Sequence, residues 1–423
     1  MNILEKACKI LEQPVCDHCL GRQFGQLLSG TDNEERGQTL RKLIAMSIDR
    51  EKLSEEDKRI DISNFCGIDF HYIKDKLPEK KTCSVCNGIF ERIDKIVTNI
   101  EKISKGLEFR TFLIGTKVSS QLLSNEENLW ESVGIDWAEQ IKAELNREIG
   151  RRVESRLKKK FDPKNPEVVF LVDISTEKIS VSINPLFTYG EYQKLVRGIP
   201  QTKWPSGKYK ISVEQIIAKP FMKSTKGATH AFHGLGREDI DAKCLAWRPF
   251  VLEIKEPKLR NIDLKKMEKL VNKDRRVNVR GLRTSSMNEV RTIKATKADK
   301  SYRAIVKCSK DIDHNLLKNL QSLQTEIRQR TPERVIHRRA DLKRKRAVKE
   351  IRAKIINSKT LELFVTTEAG LYIKELISGD KGRTQPNLSE LLQNECVCKE
   401  LDVVKIHLPR NDASKAHPTS TKK

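Results

Sequence analysis

The residue types best suited to chemistry lie together in residues 233–250. Gly234 and Gly236 open this stretch, and glycine permits positive φ and the close approach of a ligand. An arginine and three carboxylates follow, namely Arg237, Glu238, Asp239 and Asp241. The apolar run at 249–254 then predicts a strand. A glycine turn that delivers an arginine and an acid to the edge of a sheet is typical of an active site, and a surface loop with solvated charges is the alternative.

A second set of chemically suited residues consists of two Cys-x-x-Cys pairs, Cys16 with Cys19 and Cys83 with Cys86. Four thiolates from two tight turns are what a tetrahedral structural zinc site requires. We therefore expect a structural zinc ion, and a redox pair or unliganded thiols are the alternatives. His18 lies inside the first pair and is predicted to be a solvated side chain, not a ligand.

The charge balance favours a polyanionic partner. The chain has 82 Lys and Arg residues against 58 Asp and Glu residues, which gives a net charge of +24. Such a field attracts polyanions, so nucleic acid is the leading class of partner. An anionic membrane is the rival, but no run approaches the roughly 20 apolar residues of a spanning helix. The first residues lack the apolar region of a signal peptide, and a cytoplasmic protein with reduced cysteines is expected.

The elements that must position these residues can be predicted from hydrophobic periodicity. Apolar residues recur every four positions from 141 to 157, which predicts an amphipathic helix with basic outer faces. Alternation predicts strands at 179–183, 301–307 and 361–365, and short apolar runs predict a strand at 112–114 and a buried strand at 168–174. Residues 334–354 hold ten basic residues against two acids, interrupted by apolar positions. This pattern predicts a structured basic element that contacts phosphates.

The glycine turn also carries a resemblance to a known family. Gly236-Arg237-Glu238-Asp239 resembles the Gly-Arg-Xaa-Asp signature of tRNA pseudouridine synthases, and the longer stretch is similar to the archaeal-type family that acts on positions 54 and 55 of the TΨC arm. Three further segments match this family in order: Arg197-Gly-Ile-Pro-Gln-Thr-Lys-Trp-Pro205, Gln329-Arg-Thr-Pro332 with His337-Arg-Arg-Ala-Asp341, and Gly370-Leu-Tyr-Ile-Lys-Glu-Leu-Ile-Ser-Gly379. The paired cysteines match it as well. Two departures, Ser206 in place of a cysteine and a shorter turn at Ala246-Trp247, do not involve Asp239.

The resemblance implies an α+β fold. A zinc-stabilised helical and THUMP-like α/β module would be followed by a pseudouridine synthase catalytic domain built on a mixed, mainly antiparallel sheet. The expected boundaries are residues 1–100 for the zinc-knuckle and helical segment, 101–195 for the THUMP-like RNA-binding domain, 196–412 for the catalytic domain and 413–423 for a flexible tail. A THUMP domain docks the acceptor end in tRNA-modifying enzymes. The implied partner is therefore tRNA, with no membrane and no obligatory protein partner.

The implied activity is that of an isomerase, which cleaves the bond between ribose and a uracil nitrogen, turns the base over and rejoins it through carbon. No organic cofactor is needed. The motif match makes Asp239 the catalytic carboxylate, which either attacks the anomeric carbon or removes a ribose proton. A carboxylate in a dry pocket stays ionised only beside a cation, and Lys374 matches the basic residue that related synthases place there. Glu238 would point away from Asp239 in an extended segment.

The resemblance also assigns residues to the substrate. Tyr302 matches the tyrosine that covers the flipped base, where stacking contributes roughly 1–3 kcal/mol. Tyr372 and Ile373 would form the opposite wall of the base pocket. Arg237 and Arg383 would contact phosphates that flank the target nucleotide.

Two other functions stay open at this point. Asp239 and Asp241 would share one face of an extended segment, and such a pair can hold magnesium in an RNA nuclease. A catalytically silent tRNA-binding protein would need only the basic surface. The three functions differ in what they do to RNA, namely isomerisation, strand scission or binding alone.

Overall fold

The structure is a computed structural model that describes residues 1–51, 59–74 and 77–409. The flexible tail predicted at 413–423 lies outside these residues. The chain divides into two compact units, Met1–Asn184 and Pro185–Lys423. In the described part of the chain, no helix combines the length and the apolar character that crossing a membrane demands.

The first unit packs helices against a small sheet. Its helices are α1 (Ile3–Ile10), α2 (Asp17–Arg22), α3 (Asn33–Glu51), α4 (Ile93–Ser104), α5 (Ser120–Val133) and α6 (Ile141–Leu157), with 3-10 turns at Ile62–Phe65 and Ile89–Arg92. Its strands are β1 (Thr111–Lys117), β2 (Lys160–Phe161), β3 (Val168–Asp173) and β4 (Ile179–Ile183), in the order β2-β1-β3-β4. β1 runs parallel to β2 and β3, whereas β4 is antiparallel to β3.

The predicted apolar stripe forms the core of this first unit. Ile141, Leu145, Ile149 and Val153 of α6 are fully buried, while Leu157 at the helix end is only partly buried. They pack against α4 and β1. The spacing of four residues therefore places one face of the helix in the core. Most of its charged residues lie on the other faces, whereas Glu144 is fully buried.

The second unit is organised around one ten-stranded sheet. Its strands are β5 (Leu186–Lys194), β6 (Thr229–Gly234), β7 (Lys243–Lys255), β8 (Val277–Thr284), β9 (Asp299–Cys308), β10 (Glu326–Arg330), β11 (Lys343–Asn357), β12 (Thr360–Thr367), β13 (Thr384–Gln385) and β14 (Cys396–His407). The order is β13-β10-β11-β12-β9-β14-β7-β5-β8, and β6 pairs with β7. Among the described strands of this ten-stranded sheet, only β14 and β7 pair in parallel, so the sheet is mixed and mainly antiparallel, as predicted.

Helices and turns of the second unit flank this sheet. They are α7 (Val213–Thr225), α8 (Leu264–Val271), α9 (Met287–Ala295), α10 (His314–Leu317), α11 (Ile373–Ser378) and α12 (Leu388–Leu391), with 3-10 turns at Lys318–Leu323 and Glu333–Arg338. The basic run at 334–354 is structured, because it forms most of the second 3-10 turn and of β11. The apolar run at 249–254 lies in β7, where Phe250, Val251 and Leu252 are fully buried.

The division between the two compact units falls after Asn184, whereas the expected boundary between the THUMP-like and catalytic domains lies at 195–196. Strand β5 pairs with β7 and β8 in the ten-stranded sheet. Its residues 186–194 therefore lie in the sheet of the second unit, and the expected boundary between the THUMP-like and catalytic domains stays a prediction.

Candidate active site and cysteine site

The glycine turn lies between β6 and β7, of which the sequence predicted only the strand that follows the turn. Leu235 donates its backbone N–H to Pro249 O at 2.9 Å, and Gly236 has a φ of 70°, which disfavours any residue with a side chain. Beyond it, Ala242 N donates to Asp239 O at 3.1 Å and closes a turn before β7. The turn thus places Asp239 beside the start of a core strand.

A buried polar cluster supports this loop from below. The carboxylate of Glu238 is fully buried and accepts a hydrogen bond from Tyr192 Oη at 3.0 Å. Its Oε2 atom lies 3.2 Å from Arg248 Nε, and its Oε1 atom lies 3.8 Å from Lys194 Nζ. Glu238 therefore points away from the Asp239 side chain, as alternation along the segment predicted. Its partners come from β5 and β7 and were not identified from the sequence.

The backbone of the loop is fixed by side chains of the same cluster. Lys194 Nζ donates to Asp239 O at 2.9 Å and to Ile240 O at 3.2 Å. Gln201 Nε2 donates to Gly236 O at 2.9 Å. Burial lowers the pKa of Lys194, and the nearby Glu238 carboxylate opposes that shift. These bonds hold the carbonyl groups on both sides of Asp239, so the position of its Cα is determined by buried side chains.

Two cations contact the Asp239 carboxylate. Arg334 Nη2 lies 3.0 Å from Asp239 Oδ2, and Lys374 Nζ lies 3.6 Å from the same oxygen. Lys374 is closer to Asp241, at 2.5 Å from Oδ2. Although desolvation opposes it, the hydrogen bond from Lys374 lowers the pKa of Asp241. Lys374 thus lies beside Asp239, as predicted, but Arg334 is the nearer cation and sequence analysis did not single it out.

A cavity of about 560 Å3 opens over this carboxylate. The predicted residues that line it are Arg237, Asp239, Tyr302, Tyr372, Ile373 and Lys374. The structure therefore brings the proposed acid, its lysine and both tyrosines to one cavity, although they come from three separate segments of the chain.

The side chains around the cavity differ in burial. Desolvation raises the pKa of Tyr302 to about 12, so its hydroxyl keeps its proton at neutral pH. Ile373 is buried, whereas Arg237 is exposed. Tyr372 accepts a hydrogen bond from Arg339 Nη1 at 2.6 Å. The cavity thus has an apolar, aromatic side and a cationic side.

Arg383 lies elsewhere in the second unit. Its guanidinium donates to Thr331 O at 2.7 Å and to Asp341 Oδ1 at 2.6 Å. It is not among the described residues that line the cavity. The observed contacts join the segments around β10 and β13, and the phosphate contact expected of Arg383 stays a prediction.

The four cysteines predicted as metal ligands form a cluster in the first unit. The sulfur atoms of Cys16, Cys19, Cys83 and Cys86 all lie within 4.8 Å of one another. Zinc–sulfur bonds of about 2.3 Å in a tetrahedron place the sulfurs roughly 3.8 Å apart, and Cys16 Sγ and Cys86 Sγ are 3.6 Å apart. Gly88, which follows the second pair, has a φ of 69°. This donor set fits one tetrahedral metal ion.

The prediction that His18 is solvated was wrong. The residue is only 8% exposed, and its ring stacks on Phe90 with a centroid distance of 4.1 Å. Its Nδ1 atom is hydrogen-bonded to Glu144 Oε1 at 3.0 Å, and Nε2 lies 3.6 Å from Glu34 Oε2. The packing of α2 against α6 and the second cysteine turn buries the ring, which a local reading of the Cys-x-x-Cys pair could not show.

Comparison with known proteins supports this reading of both units. The family model "Pus10, C-terminal" matches residues 187–407, and "Pus10 THUMP domain, archaeal" matches residues 95–173. The tRNA pseudouridine synthase Pus10 of Methanocaldococcus jannaschii is 42% identical, with 93% of this chain and 92% of the relative covered. The enzyme of the same name from Pyrococcus furiosus is 40% identical, with 96% and 98% covered.

A solved structure gives a much weaker likeness. The crystal structure of a Cbf5-Nop10-Gar1 complex aligns with a TM-score of 0.31 and 17% identity, covering 50% of this chain and 47% of that chain.

Fold, cavity and sequence relatives together define an isomerase of the pseudouridine synthase class, with the predicted α+β architecture and a THUMP domain in its first unit. The chain belongs to the Pus10 family. The family resemblance, fold class and enzyme class predicted from the sequence are thereby confirmed.

Proposed function

We propose that this protein isomerises uridine 54, uridine 55 or both in the TΨC arm of tRNA, with Asp239 as the catalytic carboxylate. One observation carries the proposal. Asp239, on the Gly-Arg-Xaa-Asp segment, contacts two cations at 3.0 and 3.6 Å in a cavity that Tyr302 also lines. This arrangement offers a charged acid beside an aromatic surface, which is what cleavage and rejoining of a glycosidic bond to a flipped base require.

The cavity suits an everted uridine. Leaving the stack requires a few kcal/mol, and stacking on Tyr302 returns roughly 1–3 kcal/mol. Tyr372 and Ile373 line the same cavity and would hold the base on its other side. Arg237, exposed at the rim, and Arg383 would contact the flanking phosphates. No outside reactant is consumed, because the leaving base is also the one that rejoins the sugar.

In the chemical step, Asp239 attacks the anomeric carbon or removes a ribose proton, and Lys374 and Arg334 stabilise its charge beforehand. The proton lost from uracil carbon 5 returns to the nitrogen from which the sugar departed, so the product has the mass of the substrate. The buried Glu238 cluster fixes the loop and takes no part in this exchange.

The first unit would bind tRNA and contain the metal. We propose that Cys16, Cys19, Cys83 and Cys86 hold zinc, which would stabilise the fold without entering the reaction. Residues 1–100 would then form the zinc-knuckle and helical segment. Residues 101–195 would contain the THUMP-like part that docks the acceptor end, with β5 at the end of this range paired into the sheet of the second unit. The catalytic part would occupy residues 196–412. Since tRNA is the substrate, the cytoplasm is the proposed site of action.

The magnesium-nuclease alternative is disfavoured by the ion pairs. Lys374 Nζ lies 2.5 Å from Asp241 Oδ2 and 3.6 Å from Asp239 Oδ2. Its ammonium group thus occupies the space between the two carboxylates where a divalent cation would bind. The other alternative, a tRNA-binding protein without catalytic activity, is distinguished from the synthase by whether the protein forms pseudouridine in a tRNA transcript.

The decisive experiment is incubation with an unmodified tRNA transcript, followed by chemical mapping of pseudouridine. Transcripts with cytidine at position 54 or at position 55 assign the target. Asp239→Asn should abolish isomerisation while tRNA affinity stays within a few-fold of wild type, because the side chain keeps its size and loses only its charge. Full activity in this variant would refute the role of Asp239. Wild-type protein that binds tRNA but forms no pseudouridine would favour the tRNA-binding protein without catalytic activity.

A further inference from the structure

The cation nearest to Asp239 is not the lysine that the family motif supplies. Arg334 Nη2 lies 3.0 Å from Asp239 Oδ2, against 3.6 Å for Lys374 Nζ. Lys374 makes its shorter contact, 2.5 Å, with Asp241, which is largely exposed. Asp239 therefore pairs with a cation from a different segment, Arg334 of the 3-10 turn Glu333–Arg338.

Arg334 is held in place from both ends. In its turn, Val335 is buried and Glu333 N donates to Asp380 Oδ2 at 3.1 Å. At the guanidinium, Arg334 Nε donates to Glu375 Oε1 at 2.6 Å, and the Glu375 side chain is only 5% exposed. Because a buried carboxylate fixes Nε, the Nη2 atom is aimed at Asp239. The arginine thus bridges two acids with two edges of one planar group.

We propose that Arg334 is a positioning residue for Asp239 and that Glu375 orients it. This inference rests on the proposed function of Asp239. Charges alternate along the series Asp241, Lys374, Asp239, Arg334 and Glu375. Both cations contact Oδ2 of Asp239, so within the described part of the chain they fix one edge of the carboxylate and leave Oδ1 available to the reacting sugar.

This role differs from phosphate binding. Arg334 has carboxylates at both edges of its guanidinium, so its charge is already compensated and contributes little to the field that attracts RNA. Its loss should lower the rate of the chemical step far more than the affinity for tRNA. Arg330 offers a matched control, because it also pairs with an acid, Asp341 at 2.8 Å, yet is not among the described residues that line the cavity.

The test compares Arg334→Ala, Arg334→Lys and Arg330→Ala in the full chain. Affinity for tRNA and the single-turnover rate at saturating tRNA are measured separately. Loss of a preorganised charged contact at a reacting centre lowers the rate on the order of 100-fold, and we expect a loss of that size for Arg334→Ala, with an affinity no weaker than in Arg330→Ala. Arg334→Lys should recover part of the rate. Added methylguanidinium should raise the rate of Arg334→Ala and leave that of Asp239→Asn unchanged.

Removal of Arg334 alone leaves Glu375 buried and unpaired, which destabilises a fold. The variant Arg334→Ala/Glu375→Gln removes both charges and retains a side chain that fits the site. If this folded double variant reacts within threefold of wild type, or if Arg334→Ala weakens only affinity, the inference is overturned.

The outcomes also separate this inference from the proposed function. Wild type that forms no pseudouridine would overturn both. Active wild type with inactive Asp239→Asn and fully active Arg334 variants would overturn only the role of Arg334. A selective loss of rate in the Arg334 variants, with rescue by methylguanidinium, supports both.

Discussion

Lys300 gives the prediction whose magnitude can be worked most directly from the structure. It lies on β9, two residues before Tyr302, and is 8% exposed. Its Nζ atom donates to Ala298 O at 3.0 Å. Burial, and to a lesser extent the positive charge of Arg248, lowers the pKa of Lys300 from 10.5 to about 8. Among the described residues, no carboxylate forms an ion pair with Lys300. Burial of an unpaired ammonium destabilises the folded state, and the size of this effect depends on pH.

The sign follows from proton linkage. Below pH 8 both the folded and the unfolded chain hold the proton, so the folded state bears the full cost of the buried charge. Between pH 8 and 10.5 the folded lysine is neutral while the unfolded one still holds its proton, and stability rises with pH. One pKa unit corresponds to about 1.4 kcal/mol, so the full cost is about 3 kcal/mol. Between pH 7 and pH 10, about 2.5 kcal/mol of it should disappear.

The perturbation is Lys300→Met, which keeps the aliphatic stem and removes the titrating group. Urea unfolding is measured at several pH values from 7 to 10, with fluorotryptophan signals from Trp204 and Trp247 reporting the second unit. At pH 7 the variant should have a higher free energy of unfolding than wild type. This difference should shrink by about 2.5 kcal/mol between pH 7 and pH 10. The lost hydrogen bond to Ala298 changes stability by about 1 kcal/mol at every pH. The test is therefore how the stability difference between variant and wild type changes with pH, and not its value at one pH.

Lys307→Met is the matched control, because Lys307 is an exposed lysine on the same strand. Its stability difference from wild type should be the same at pH 7 and pH 10. A Lys300→Met difference that stays constant to within about 0.5 kcal/mol, well below the linkage value, would refute the argument that this lysine is buried as a charge.

Two further predictions concern the base pocket and the cysteines. Tyr302→Ala should lower the single-turnover rate by at least about tenfold, in line with the loss of roughly 1–3 kcal/mol of stacking. Tyr302→Phe keeps the ring and should lower the rate less. Equal losses of rate in the two variants would contradict stacking on Tyr302. Paired replacement of Cys16 and Cys83 by serine should remove bound zinc and lower the melting temperature more than Cys66→Ser, an exposed cysteine of the same unit. Metal analysis that finds no zinc in the folded wild type would contradict that assignment.

The sequence identified those site residues that belong to a local pattern. The glycine turn predicts the loop that contains Asp239, and strand alternation predicts that Tyr302 lies within a sheet. Lys374 was found because it belongs to a recognisable segment. Alternation even gave the direction of Glu238, which the structure places in the interior. The loop, the strand and the direction of Glu238 need only neighbouring residues and the period of the backbone. The roles of Asp239, Tyr302 and Lys374 came from the family resemblance.

Residues whose roles depend on distant pairings were missed. Lys194 reaches the loop only because β5 pairs with β7, and Arg248 reaches Glu238 for the same reason. Arg334 is 95 positions from Asp239 in the chain (334 minus 239) and was counted only as one charge in a basic run. No local pattern distinguishes an arginine that pairs with a catalytic acid from one that faces solvent.

The exposure of Asp239 bears on how the site becomes dry. Its side chain is 35% exposed, so the protein alone does not exclude water from the carboxylate. Arg334 and Lys374 are nevertheless already in place, which means that the charge pattern precedes the substrate. An everted base that fills the cavity beside Tyr302 would displace the remaining water and strengthen those ion pairs, because the effective dielectric falls. Entry of the substrate base would therefore exclude water from the Asp239 carboxylate. An abasic nucleotide at the target position should bind without excluding this water.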